Sequence, residues 1–145
     1  MNVDHEHFRR LERMYHAAPV NQFFRPVLEV EEGHAELEIP IRKEFFHAAA
    51  AVHGSVYFKA LDDAAFFAVN SLVTDVFVLT VSFNIYLTRP VSEGVLRARG
   101  SVVHRSRQIF LADAELFDQH SRQIARGSGS FMRSQIALTP EVGYS

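Results

Sequence analysis

One hundred and forty-five residues, 48% hydrophobic and 22% charged, suit one globular unit with a buried core rather than a disordered chain. The formal charge of −2 favours neither nucleic acid nor an anionic membrane as partner. Cysteine is absent, which excludes disulfides, thiolate zinc sites and a cysteine nucleophile, and thirteen phenylalanines without a tryptophan point to an aromatic-rich interior or pocket.

The chain starts MNVDHEHFRRLERMYH, charged throughout and lacking the apolar core of a signal peptide. Residues 4–18 read as an amphipathic helix, with Asp4 as N-cap, Phe8, Leu11 and Tyr15 on one stripe, and Pro19 as the stop. His5 and His7 are spaced like metal ligands, but no third ligand accompanies them. Residues 27–30 and 34–41 read as two strands around a Glu32-Gly33 turn. In the second strand Ala35, Leu37, Ile39 and Ile41 alternate with Glu36, Glu38 and Pro40, the period of a half-buried antiparallel strand. The alanine-rich stretch 48–52 suits a helix until His53-Gly54-Ser55 interrupts it, with Ser55 placed to cap the next helix.

From 56 to 72, apolar residues (Val56, Phe58, Leu61, Ala65, Phe66, Val69, Leu72) cover most of a helical circumference. A helix apolar all round is wrapped by other structure, yet this one carries two adjacent acids, Asp62 and Asp63. Strand patterns come next, at 76–88, 94–107, 108–118 and 122–135. The small residues of QIARGSGSFM mark a strand that passes close to a neighbour. The longest apolar run, 76–87, is interrupted by polar residues and too short to span a bilayer. The order predicts an α+β unit over residues 1–145, with an N-terminal helix to 19, a tail at 136–145, and an antiparallel sheet around one long central helix. A cytoplasmic protein that meets no membrane is the expectation.

At HGSVYFKALDDAAFFAVNS, and again at LTVSFNIYLTRPVSEGVLRARGSVVHRSRQIFLADAELFDQHSRQIARGSGSFM, the chain resembles the hotdog-fold acyl-CoA thioesterases, in particular the phenylacetic-acid-degradation (PaaI-type) subgroup. The likeness covers roughly 20–133: His-Gly-small, then Leu61-Asp62-Asp63-Ala64 where the family's helix has Leu-Asp-small-Ala, then Asn, Pro, Gly and VVHR positions. It implies a homo-oligomer, a dimer or a dimer of dimers, that acts on acyl-CoA without metal or redox cofactor. Position by position, it implies that Asp62 is the catalytic carboxylate, that the Gly54 N–H polarises the thioester carbonyl, and that Thr80 helps hold the attacking water. His47 falls where relatives often carry Asn contacting the substrate carbonyl, and Ser55 replaces the second Gly.

The residues support that chemistry on their own terms. Thioester hydrolysis needs a base or nucleophile of raised basicity, and amide donors where charge builds on oxygen. Helix N-terminal amides are unpaired and lie at the positive end of the dipole. Gly54 and Asp62 are eight residues apart, about 12 Å along a helix, so one helix does not bring both to one carbonyl. Two helices packed antiparallel about a two-fold axis do, which favours a site shared between subunits.

Plainer readings stand beside each residue. Asp63 suits an ion pair with Lys59, and His53 either touches substrate or holds its turn. Thr80 is also an ordinary strand residue. Arg89, His104, Arg105 and Arg107, with Arg97 and Arg99, either grip CoA phosphates or form a solvated face. A non-catalytic acyl-CoA or acyl-carrier-protein binding module is the alternative function. A hotdog dehydratase would carry Asp-x-x-x-x-His, which does not occur here.

Overall fold

The computed structural model describes residues 5–145; the expected N-cap Asp4 lies outside them. Helix α1 (His5–Ala17) buries Phe8, Leu11 and Tyr15 as the stripe predicts, with His7 and Met14 added. Pro19 does not simply end it. Pro19 occupies the first turn of a further short helix, α2 (Pro19–Phe24), where a missing N–H costs nothing.

Strands β1 (Val27–Glu31) and β2 (His34–Pro40) form the expected hairpin, and β2 buries Ala35, Leu37 and Ile39 while exposing Glu36 and Glu38. The alanine-rich stretch is not helical. After a 3-10 turn at Lys43–Phe45 the chain loops back, with a bridge between Phe46 and Val52 and Ala50 at a φ of 61°. That loop delivers His53 in an extended conformation, and its side chain, not Ser55, is the N-cap of α3 (Gly54–Asn70). Helix α3 therefore starts two residues earlier than the apolar pattern implied. It ends at Asn70, whose buried amide bonds the carbonyls of Val73 and Val76 and accepts from the N–H of Val78.

The remaining strands are β3 (Val76–Leu87), β4 (Val95–Arg105), β5 (Phe110–Phe117) and β6 (Gln123–Ala137). The six strands make one antiparallel sheet in the order β1-β2-β4-β5-β6-β3, wrapped around α3. The architecture is α+β. Apolar side chains from α3 (Leu61, Ala65, Val69) and from the sheet (Leu96, Leu116, Phe131) share one core. The layers come close together at Gly100, where a Cβ would fall 2.4 Å from the Ala64 backbone. In β6 the small residues make room for the Phe83 ring, 2.4 Å from where a Cβ on Gly129 would sit.

Candidate active site

Successive residues on a helix point about 100° apart, so Asp62 and Asp63 serve different neighbours. Asp63 turns toward α1. Its Oδ2 accepts from the Tyr15 hydroxyl at 2.6 Å and pairs with Lys59 Nζ at 2.8 Å, one helical turn before it. Asp62 turns toward β3, where Thr80 Oγ1 donates to its Oδ1 at 2.8 Å. Burial, helped by the negative charge of Asp63, pushes the Asp62 carboxyl up to about 6; the Thr80 hydrogen bond and the Lys59 charge oppose that rise. Burial also raises the Tyr15 phenol, and the Asp63 carboxylate adds to it.

Both acids border a cleft of about 850 Å3 between α1, α2, α3, β3 and the segment after β6. Its walls are mostly apolar, with Met14, Val20, Phe66, Phe67, Phe77 and Leu79 among them. A carboxylate here keeps one anchored oxygen and one free to face a reactant, in surroundings that raise its basicity. That is the equipment of a general base or a carboxylate nucleophile.

A second group of residues lies at the start of α3. His53 Nδ1 accepts from the Ser55 N–H at 3.0 Å and sits 2.8 Å from Ser55 Oγ, so this ring and hydroxyl serve the helix cap. His47 is exposed, accepts from the Ala49 N–H at 3.0 Å, and its ring centre is 6.5 Å from that of His53. Arg89 is exposed, and its carbonyl accepts from the Tyr57 hydroxyl, which ties it to the first turn of α3. Among the described residues nothing bonds the Gly54 N–H. Space at Gly54 is not empty, however: a Cβ there would meet the Leu87 side chain at 3.0 Å, so this glycine also accommodates its own chain.

The structure thus gathers Gly54, His47, His53, Ser55 and Arg89 at one end of α3, and Asp62 with Thr80 halfway along it. His104, Arg105 and Arg107 join neither group. They are exposed where β4 turns into β5, and Arg105 reaches Thr80 only through the paired row Arg105–Phe110–Phe131–Thr80, about 14 Å at three strand spacings. Sequence reasoning missed the role of Tyr15 against Asp63. The available signal was a hydroxyl on an otherwise apolar stripe. His7 is buried between Asn70 and Tyr144 rather than poised for metal with His5, and no cluster of three or more His, Cys, Asp or Glu residues able to hold a metal occurs among the described residues. No described helix is long and apolar enough to cross a membrane.

Comparison with known proteins adds a family. Residues 50–125, which hold the cap, Asp62 and Thr80, match the family model described as Thioesterase superfamily. The solved structure of the E. coli PaaI protein from the phenylacetic acid degradation operon superposes with a TM-score of 0.85 at 21% identity, covering 95% of this chain and 100% of that one. A mutant of the phenylacetic acid degradation protein PaaI from Thermus thermophilus gives 0.73 at 20% identity, over 81% of this chain and 100% of that one. A Saccharolobus solfataricus protein named "Putative esterase SSO1253" is 23% identical over 104 residues, 72% of this chain and 69% of that protein. At these identities the solved structures establish the architecture, the hotdog fold.

Proposed function

The chain belongs to the thioesterase superfamily, and from that premise we propose that it hydrolyses an acyl-CoA thioester at a site shared between two copies of the chain. The observation that carries the reading is Asp62, a carboxylate of raised basicity held by Thr80 on the wall of an apolar cleft. As base, Asp62 takes a proton from water while the resulting hydroxide attacks the thioester carbonyl. The N–H of Gly54 from the partner subunit receives the developing oxyanion. Collapse expels the CoA sulfur, and protonated Asp62 returns its proton to that thiolate. As nucleophile, Asp62 would instead form an acyl anhydride that water then opens.

Two observations support sharing. The about 12 Å between Gly54 and Asp62 along α3 keeps them off one carbonyl within a chain. In addition, β3 ends the sheet and carries Leu79, Val81, Tyr86 and Leu87 at 47%, 57%, 69% and 48% exposure. A long apolar edge strand is a pairing surface, and a second copy of β3 across a two-fold axis would bring the two α3 helices side by side. Exposed His47 and Arg89 near the cap suit the carbonyl and the CoA phosphates respectively.

The reading is tested by thiol release over a panel of acyl-CoAs, wild type against Asp62→Asn. Turnover of at least one member, lost by about a hundredfold or more in the variant, is the expected result. A wild type that binds acyl-CoA without releasing thiol would favour the binding-module alternative.

A further inference from the structure

The cleft beside Asp62 has one wall supplied by a segment that the family model does not cover. After β6 the chain turns through a 3-10 turn at Pro140–Val142, and Pro140, Glu141, Val142 and Gly143 line the cleft beside α1, where a Cβ on Gly143 would fall 3.3 Å from the Met14 backbone. The segment is folded on itself: the N–H groups of Val142 and Tyr144 donate to the Thr139 carbonyl at 3.1 Å each, and Gly143 donates to Pro140 at 3.0 Å. It is a preformed hook, and it is latched. His7 is only 4% exposed, with Nε2 2.9 Å from the Asn70 carbonyl and Nδ1 2.7 Å from the Tyr144 hydroxyl. A carbonyl only accepts, so Nε2 carries a proton and donates to Asn70, while Nδ1 and the Tyr144 hydroxyl make the second bond. The Arg10 guanidinium lies over the Tyr144 ring at 5.7 Å. One buried histidine therefore ties α1, the end of α3 and the hook together. Val142, an apolar side chain left 37% exposed, sits in this wall.

We propose that the hook is the variable wall of the acyl site, that Val142 sets how bulky an acyl group the cleft admits, and that the His7–Tyr144 latch keeps the wall in place. This rests on reading the cleft as the acyl site next to the hydrolytic Asp62. The floor, formed by α3 and β3, belongs to the central core. The hook is anchored at its two ends, where Leu138 and Tyr144 pack against that core. Between them Val142 is left partly exposed in the wall, so it is there that side-chain size adjusts the cleft.

The test uses CoA thioethers, which bind but cannot be hydrolysed, in butyl, benzyl and naphthylmethyl forms. Binding is measured by calorimetry on the full chain. Val142→Ala raises the affinity for the naphthylmethyl compound relative to butyl by about tenfold, the scale of one or two methylenes in an apolar pocket. Val142→Phe lowers the same ratio, and Tyr144→Phe, which removes the latch bond and little volume, moves it in the direction of Val142→Ala. Ratios unchanged in all three variants overturn the proposal, as does a wild type that binds none of the thioethers. A wild type that binds the thioethers but releases no thiol from the matching thioesters overturns the hydrolytic reading instead and leaves the hook's role standing.

Discussion

Asp62 is held in a state that costs the fold something. Its carboxyl takes up a proton at about 6, against 3.8 for a free aspartate, so the folded chain binds that proton more readily than the unfolded one. The sign is then fixed: a carboxyl raised on folding subtracts stability as it ionises, nothing below about pH 4, increasingly between pH 4 and 6, and fully above. Two units at about 1.4 kcal/mol each bound the penalty near 3 kcal/mol. Asp62→Asn, which still accepts the Thr80 hydrogen bond, should raise unfolding stability by about 1–3 kcal/mol at pH 8 and by almost nothing near pH 4, as urea titrations at both pH values would read. The same environment predicts an acid limb near pH 6 in kcat/KM. Thr80→Val removes a bond that favours the anion and should move that limb up; Asp63→Asn removes a like charge and should move it down. An identical limb in both variants would mean that another group titrates. The acids themselves were legible in the sequence, because two adjacent carboxylates stand out on an otherwise greasy helix. Their division of labour was only partly so. Lys59 predicts a partner for Asp63, whereas Tyr15 reaches it from another helix, and no local pattern encodes that contact.

Periodicity specified the elements that pack and failed where single side chains override it. The alternation in β2 is a consequence of burial and is observed. Helix α3 is buried over most of its circumference, but the face that carries Phe58, Asp62 and Phe66 stays partly open, with Phe58 39% exposed. Alanines at 48–51 carry high helix propensity, yet a loop of this length cannot both form a helix and return His53 to the Phe45 carbonyl, where its N–H bonds at 2.9 Å. His53 then caps α3 with a ring nitrogen, a task that cap statistics assign to Ser, Thr, Asp or Asn, which is why Ser55 was the expected cap. Pro19 illustrates the same ambiguity, because a residue that stops one helix is well suited to begin the next. The seat of α3 on the sheet depends on Gly100. A methyl there meets the Ala64 backbone, which cannot yield as a flexible side chain would, so Gly100→Ala should destabilise the fold by about 1–3 kcal/mol or more in denaturant titration. A neutral effect would show that helix and sheet shift apart at little cost.

At the scale of the whole molecule, the proposed reaction assigns two half-sites to each chain. The cap of α3 offers an unbonded amide, the middle of α3 offers the carboxylate, and β3, at the edge of the sheet, exposes apolar side chains. The separation of Gly54 from Asp62 was readable from eight residues of spacing, because helix geometry is fixed. That His104, Arg105 and Arg107 would lie apart from both groups was not, since strand pattern does not say which elements the tip of a hairpin approaches. Two variants separate the halves. Proline is tolerated at the first position of a helix and removes the Gly54 N–H, while Gly54→Ala keeps it and only presses on Leu87, so Gly54→Ala should retain the activity that Gly54→Pro loses. The decisive measurement is thiol release after Asp62→Asn and Gly54→Pro chains, each inactive alone, are unfolded together, mixed equally and refolded. Half of random dimers are mixed and each mixed dimer regains one of two sites, so recovery of about a quarter of wild-type activity is the predicted outcome. A mixture as inactive as its two components would contradict a site built from two chains.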